Sequence, residues 1–259
     1  RCLDADVITA ITSAHNVAEG FLESIAPFRL FLPALGWTGE TSDMFQPREG
    51  SCNRVCVVMS SDGKFGESSS YSAAIGQVLG RAAKIAVNQN IGRVRSGAIA
   101  AKGYLMDGKT PEEHYSVWGI LDDAGYIFYR TFIGKNGYYL NGDATATATS
   151  DDYCFLANGR VIDKAVVIAY ETYIDDILDN IEVDADSGAI STPLCKSFEA
   201  SIVRAVTTQM AGEISSFTAY INPSQNILSS GQMDVECDIV PTGVLRNIKV
   251  NLSLKNPTA

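Results

Sequence analysis

The sequence is short of the groups on which most enzymes are built. Its only two histidines, His15 and His114, leave a serine or cysteine hydrolase almost no choice of base. No G-x-S-x-G, H-E-x-x-H or G-x-G-x-x-G occurs, so a nucleophile elbow, a zinc protease helix and a dinucleotide loop lack their usual signs. His15 falls on the apolar stripe of a helix and His114 in the first turn of an exposed-looking one, and both read as structural. The longest uninterrupted apolar run, Ala165 to Tyr170, is far below the ~20 residues a membrane-spanning helix needs. Basic side chains are scarce too: 20 Lys and Arg stand against 30 Asp and Glu, giving a net charge of -10, and no basic cluster exceeds a pair. That field repels phosphate backbones and anionic lipid, so neither nucleic acid nor a membrane surface is an expected partner. The cysteines (Cys2, Cys52, Cys56, Cys154, Cys195, Cys237) include no C-x-x-C pair, and Cys52 and Cys56 lack further ligands at a usual spacing. Reduced, mostly buried thiols are expected, with no metal and no other cofactor.

What is present is a globular composition. With 259 residues, 46% hydrophobic and 19% charged, the chain is long enough to bury a core without disulfide staples. The spacing predicts a helix from Asp4, its N-cap, to Ile25, with Ile8, Ile11, His15, Ala18 and Leu22 on one stripe. Phe28 to Leu32 reads as a short buried strand. Arg54 to Met59 reads as a central strand covered on both faces and closed by a turn at residues 60–63. A helix over 72–87 carries Gly76 and Gly80, spaced for close approach of another backbone. Thr110, Pro111 and Glu113 form a capping-box start for a third helix that Gly125 ends, and a strand follows over 126–133. Residues 144–150 read as a surface connection, because alternating Ala and Thr offer little apolar bulk. A long helix is expected over 159–180, with Ile162, Val166, Ala169, Tyr173 and Ile177 inward. A hairpin around Asp186-Ser187-Gly188 follows, then a helix opened by Thr192 and Pro193 with Phe198, Ile202, Val206 and Met210 buried. Strands are expected over 214–221, 233–240 and 244–254. The fold class is therefore α/β in the broad, mixed α+β sense: a mixed sheet flanked by helices with a β-rich C-terminal part, divided into 1–133 and 134–259.

Candidate chemistry thins out on inspection. Acidic pairs occur at Asp122/Asp123, Asp151/Asp152, Asp175/Asp176 and Asp184/Asp186; adjacent helical residues point about 100° apart, so Asp175 and Asp176 do not converge as a dyad and a solvated face accounts for them better. Asp184-x-Asp186-x-Gly188 has its glycine one place early for a calcium loop, and Cys195 stands where the bidentate Glu belongs. Gly134-Lys135-Asn136-Gly137 lacks the length and the hydroxyl of a phosphate loop. Fold class alone still permits an α/β enzyme or ligand-binding domain with its site at the C-terminal ends of strands such as Arg54 to Met59.

Several segments of the second half, in order, resemble contractile phage tail sheath proteins, especially those of prophages in Bacteroides-type bacteria. They are Gly137-Tyr138-Tyr139-Leu140-Asn141-Gly142 with its Ala/Thr run, Asp151-Asp152-Tyr153, Asn158 to Ala165, Val183 to Ile190, Ile221 to Leu228, and Val240-Pro241-Thr242-Gly243 with the last strand. Asn136, Asn141 and Asn158 each precede a glycine, reading as positive-φ turns, and Arg160 and Lys164 share one helical face. The resemblance implies a structural subunit and no enzyme. It would polymerise around a tail tube, drive injection by contraction, and be found in the bacterial host cytoplasm during assembly and afterwards in the virion tail or a tailocin-like particle. Its partners would be neighbouring copies, the tube protein and the baseplate. The sequence opens at Arg1 and not Met, so the chain is expected to be a processed or trimmed piece, and the N-terminal arm carried by the sheath subunits it resembles has no visible counterpart here. The strand with Arg246, Ile248, Val250, Leu252 and Leu254 is the expected inter-subunit strand, since every second residue from Ile248 is apolar.

Overall fold

The computed structural model describes residues 5–42, 44–64 and 70–253. In chain order come α1 (Ala5–Glu23), β1 (Leu30–Pro33), β2 (Ser51–Cys52), β3 (Val55–Val58), β4 (Ser60–Lys64), β5 (Tyr71–Ala73) and α2 (Ile75–Lys84). Next are β6 (Tyr104–Leu105), α3 (Trp118–Ala124), β7 (Tyr126–Ile127), β8 (Tyr129–Arg130), β9 (Tyr139–Leu140) and β10 (Ala146–Thr147). The second half holds α4 (Leu156–Tyr173), α5 (Thr192–Gln209), β11 (Ile214–Tyr220), α6 (Ile227–Ser230) and β12 (Glu236–Pro241).

β3 organises the first core, as its unbroken apolar sequence requires. It lies between β1 and β7 in a parallel sheet, with Leu30 opposite Val55 and Val57 opposite Tyr126. Every residue from Val55 to Met59 is fully buried. Alternation sends Val55, Val57 and Met59 to one face, against Val7 and Ile11 of α1 and Trp118 and Leu121 of α3. Cys56 and Val58 face the other way, against Val78 and Ala82 of α2 and Leu156 of α4. Each such fully buried Val contributes about 1.5–3 kcal/mol, and the thiol of Cys56, stripped of water, has its pKa pushed up to about 12. A second core holds Val161, Ala165 and Ile168 of α4, Ile202 and Val206 of α5, Met210, and Phe217 of β11. α4 thus belongs to both cores and ties the halves together.

The fold is mixed α+β, as expected, though it is divided into small sheets instead of one. The capping box is present: Glu113 Oε2 accepts from Thr110 N at 2.7 Å and from Thr110 Oγ1 at 2.9 Å. It opens a 3-10 helix, Pro111–Val117, which leads into α3, and Gly125 closes α3 at φ 93°. Other local readings needed correction. Residues 60–63 are not a turn but strand β4, paired with both β5 and β6. The strand expected over 126–133 is split into β7 and β8. The supposed surface connection reaches the surface only at Thr149 and Ser150 and is interior over its first part, where Ala144, Thr145, Ala146 and Thr147 are all buried. Their smallness is what fits, because a Cβ at Gly50 would already lie 3.1 Å from the Ala146 carbonyl.

α2 is shorter than expected, and a Cβ at Gly76 or Gly80 would meet nothing within 4 Å, so no backbone approaches there. α4 starts earlier, ends at Tyr173, and buries the face of Val161, Ala165 and Ile168, about one residue round from the expected stripe; Ile177 lies beyond it, exposed. Gly137 has a positive φ, but Gly142 does not and Gly159 is inside α4. His15 is half-buried at the edge of its stripe, and its Nδ1 has no hydrogen-bond partner among the described residues, whereas His114 is buried. The expected N-cap Asp4 lies outside the described residues. No described residue of 244–253 pairs in a sheet.

Candidate assembly interface

The junction of the two halves is a network of charge held out of water. Arg29, just before β1, donates to Asp163 of α4 through Nε at 2.7 Å and Nη2 at 3.3 Å, and through Nη1 to the Asn53 carbonyl at 3.0 Å. Arg54 reaches the same Asp163 at 3.2 Å and also pairs with Glu19 of α1. The guanidinium of Arg29 lies directly across Gly159, where no side chain could fit beside it. Next along α4, Arg160 donates to the carbonyls of Ala82 and Ile85 at the end of α2, and one turn further Lys164 donates to that of Gln209 at the end of α5 and to Glu213. Two cations on one face of α4 therefore neutralise two helix C-termini.

Asp143, 1% exposed, is the centre of the junction. Its carboxylate accepts from Asn90 Nδ2 at 2.5 Å, from Ala157 N in the first turn of α4 at 3.1 Å, and from Arg246 Nη1 at 2.9 Å. Arg246 also lies over the Phe155 ring, 3.2 Å from its centroid, while Arg48 approaches the same ring at 5.5 Å. The expected inter-subunit residues are thus not brought together. Arg246 is fastened to the body, and beyond it Ile248, Val250 and Leu252 are 77%, 69% and 92% exposed. Leu254 lies outside the described residues. Sequence reasoning missed Asp143 and Phe155, since nothing near either announces a partner about a hundred residues away.

Next to this segment is the antiparallel ribbon of β11 and β12, in register from Tyr220 opposite Glu236 to Ser216 opposite Val240. Phe217 and Ile239 turn inward onto α4 and α5, and the outer edges of both strands are unpaired among the described residues. Glu199 of α5 anchors the ribbon's end by accepting from Ile221 N at 2.9 Å, and its bond to Lys196 and this backbone bond hold its carboxyl below the usual range. Tyr173 marks where β12 meets the end of α4: burial first, then Cys237 and Asp176, push its hydroxyl up to about 12.

The remaining candidates resolve into structural roles. His114 Nε2 is 2.7 Å from Asp107 Oδ2, both side chains buried, with the Trp37 ring alongside. Asp122 accepts from Asn141 at 2.6 Å, Asp151 braces Thr147 and Tyr153, and Asp184 closes its turn on Ser187. Those turn bonds hold Asp184 below the usual carboxylate range. One motif escaped the sequence reading: Gly103 to Thr110 fits G-x-x-x-x-G-K-[ST]. Its geometry is not that of a phosphate loop. Leu105, Met106 and the side chain of Asp107 are buried, Gly108 N donates to Leu105 O, Lys109 N donates to the Asp107 carboxylate, and the Tyr71 ring covers Gly108. Two surface grooves, of about 410 and 970 Å³, are lined by residues of 27–31, 79–87 and 156–167 and of 182–197 and 223–224; neither reaches the C-terminal end of β3. Among the described residues no group of three or more His, Cys, Asp and Glu is arranged to hold a metal ion, and no helix is long and apolar enough to cross a membrane.

Comparison with solved structures finds this architecture in contractile injection particles. A chain of the anti-feeding prophage baseplate, sixfold symmetrised, superposes with a TM-score of 0.61 at 12% identity, covering 94% of this chain and 65% of its own length. A chain of the same baseplate in the contracted state gives 0.54 at 15% identity over 95% and 68%. A chain of the PVC sheath complex of an extracellular contractile injection system, in the contracted state, gives 0.52 at 14% over 78% and 56%. At such identities the likeness is one of fold, and this chain spans only about two thirds of the first relative. No curated protein matched the sequence. Two family models match in tandem, the DUF2586 N-terminal domain over residues 5–144 and the DUF2586 C-terminal domain over 152–259, so the chain belongs to the DUF2586 family.

Proposed function

We propose that this chain is a structural subunit of a contractile tail sheath, which polymerises around a tail tube and drives injection by contraction. The observation that carries the reading is the segment after Arg246. Its root is fixed at Asp143 and Phe155, while Ile248, Val250 and Leu252 beyond it stand exposed among the described residues. Such a segment pairs by its backbone with a sheet edge in an adjacent copy and buries Ile248, Val250, Leu252 and Leu254 there. The β11–β12 ribbon offers such an edge, and two strands alone are marginal, so a third stabilises it. Copies joined through two different surfaces propagate as an open helix, and contraction is a rigid-body change between two such arrangements. The fold relatives, drawn from sheath and baseplate complexes, support the reading.

On this reading the partners are neighbouring copies, the tube protein and the baseplate, and no catalytic step is needed. The protein is made in the bacterial host cytoplasm and ends in a virion tail or tailocin-like particle. The test is negative-stain microscopy of the full-length protein, with tubes or rings expected; compact monomers at every salt and protein concentration would overturn it. Removing residues from Asn247 onward, which keeps Arg246 on Asp143, should leave folding intact and abolish the tubes. A truncated chain that does not fold, or one that forms tubes as before, would show that the segment is not a tether.

A further inference from the structure

Asn136, Asn141 and Asn158 each precede a glycine, and every other asparagine of the chain precedes a larger residue. Glycine has no Cβ to shield its amide nitrogen, so in an Asn-Gly pair that nitrogen can approach the asparagine carboxamide carbon most readily. Whether it does depends on how the folded chain holds the two groups. Two of the three pairs are locked. Asn141 accepts from Phe128 N at 2.9 Å and donates to Asp122 at 2.6 Å and to the Tyr126 carbonyl at 3.0 Å, so its carboxamide cannot turn. Asn158 donates to the Asp152 carbonyl at 2.9 Å and lies within α4, where Gly159 N points back along the helix to the Phe155 carbonyl. Asn136 is held differently. Residues 133–136 are all exposed, and among the described residues nothing bonds the Asn136 carboxamide or the Gly137 amide. Lys135 N donates to the Phe132 carbonyl, and the chain is tied to the body again at Tyr138, whose N donates to the Ala100 carbonyl at 2.8 Å.

We propose that Asn136 is a site of self-modification, at which Gly137 N attacks Asn136 Cγ and closes a succinimide ring. The bond formed is Gly137 N to Cγ, and the bond broken is Cγ to Nδ2. The proton that Gly137 N gives up to solvent is matched by one taken up by the departing nitrogen, which leaves as ammonia. Water then opens the ring. Opening at Cγ restores the ordinary backbone with aspartate at position 136, whereas opening at the Asn136 backbone carbonyl leaves the main chain running through the side chain as isoaspartate. Either product adds one negative charge to the loop, and isoaspartate also lengthens the main chain by one carbon directly before Tyr138. Gly137 has no room to absorb that carbon, since a Cβ on it would already stand 2.7 Å from Ala98 Cβ and 2.9 Å from the Ala100 carbonyl oxygen. The change therefore loosens the bridge between Ala100 and Tyr138, in which Ile99 N also donates to Tyr138 O at 2.8 Å. The inference is independent of the sheath reading, because it needs only the folded chain and water.

The test is to hold the full-length protein in warm, mildly alkaline buffer and follow the three sites by peptide mass mapping. Pepsin digestion at acid pH stops the reaction, and enzymatic methylation scores isoaspartate. In the folded protein, residue 136 should convert about tenfold or more faster than residues 141 and 158, because only there are the two reacting groups free to meet. The rate should rise with pH, since the attacking nitrogen must lose its proton. In concentrated urea the three rates should converge, because the contacts that lock Asn141 and Asn158 are gone. Conversion at 136 that is no faster than at 141 or 158 in the folded protein would overturn the inference. Asn136→Gln, whose longer side chain would have to close a larger ring, should remove the mass gain from that peptide and leave the melting temperature unchanged. A gain that persists there would place the reaction elsewhere and overturn the assignment. In protein aged until residue 136 is isoaspartate, backbone hydrogen exchange at Ile99 and Tyr138 should quicken, and unchanged exchange at both would refute the loosening.

Discussion

Gly159→Ala should destabilise this protein, against the rule for helices. Within a helix, replacing Gly by Ala normally adds up to about 1 kcal/mol, because the glycine loses more backbone freedom on folding. Gly159 lies inside α4, but a Cβ there would stand 2.1 Å from Cζ of Arg29 and 2.2 Å from each of its terminal nitrogens. The guanidinium cannot simply swing aside, since its side chain is 7% exposed and three donors are already committed to Asp163 and the Asn53 carbonyl. Displacing it leaves a buried charge without its partner, at about 3–5 kcal/mol. Subtracting the helix gain leaves about 2–4 kcal/mol, or roughly 5–15 °C in Tm for a chain of this size. Gly76→Ala and Gly80→Ala in α2 are the controls: with nothing within 4 Å, each should raise stability by up to about 1 kcal/mol. Thermal melting followed by circular dichroism reads all three. In an Arg29→Met background, adding Gly159→Ala should cost little, because the group it displaces is gone. A Gly159→Ala protein that melts at or above the parent temperature would refute the reasoning.

Two further outcomes follow from titrating groups. The carboxyl of Glu199 is held below its ordinary pKa by Lys196 and the Ile221 amide, so its contribution is full above the unfolded value near 4.5 and is lost as pH falls through the lower folded value. Glu199→Gln should therefore flatten the fall of urea-unfolding stability below about pH 4.5, and an unchanged acid slope would count against the anchor. Burial pushes the Cys56 thiol up to about 12, whereas Cys237 is exposed on β12. Under native conditions iodoacetamide should alkylate Cys237 well before Cys56, and equal rates by peptide mass mapping would show that the β3 core opens.

Where a signal is local, the sequence determined the outcome. Unbroken apolar residues from Val55 to Met59 can be stable only with both faces covered, and that strand is the centre of the first core. Thr110, Pro111, Glu113 and Gly125 start and stop their helix by contacts four residues apart or less, which any tertiary setting preserves. The burial of Ile202, Val206 and Met210 follows likewise from their spacing on α5. The tertiary structure decided whatever depends on distant neighbours. Ala144 to Thr147 look too small for a core until Gly50 is seen pressed against them. α4 packs against two cores at once, so its buried face followed its partners and not its own most apolar stripe. Residues 244–253 have the alternation of a strand, but a strand exists only by pairing, and no described strand pairs with them. Arg246 could be named from the sequence, but its seat on Asp143 and Phe155 joins residues about a hundred positions apart, and only the folded chain brings them together.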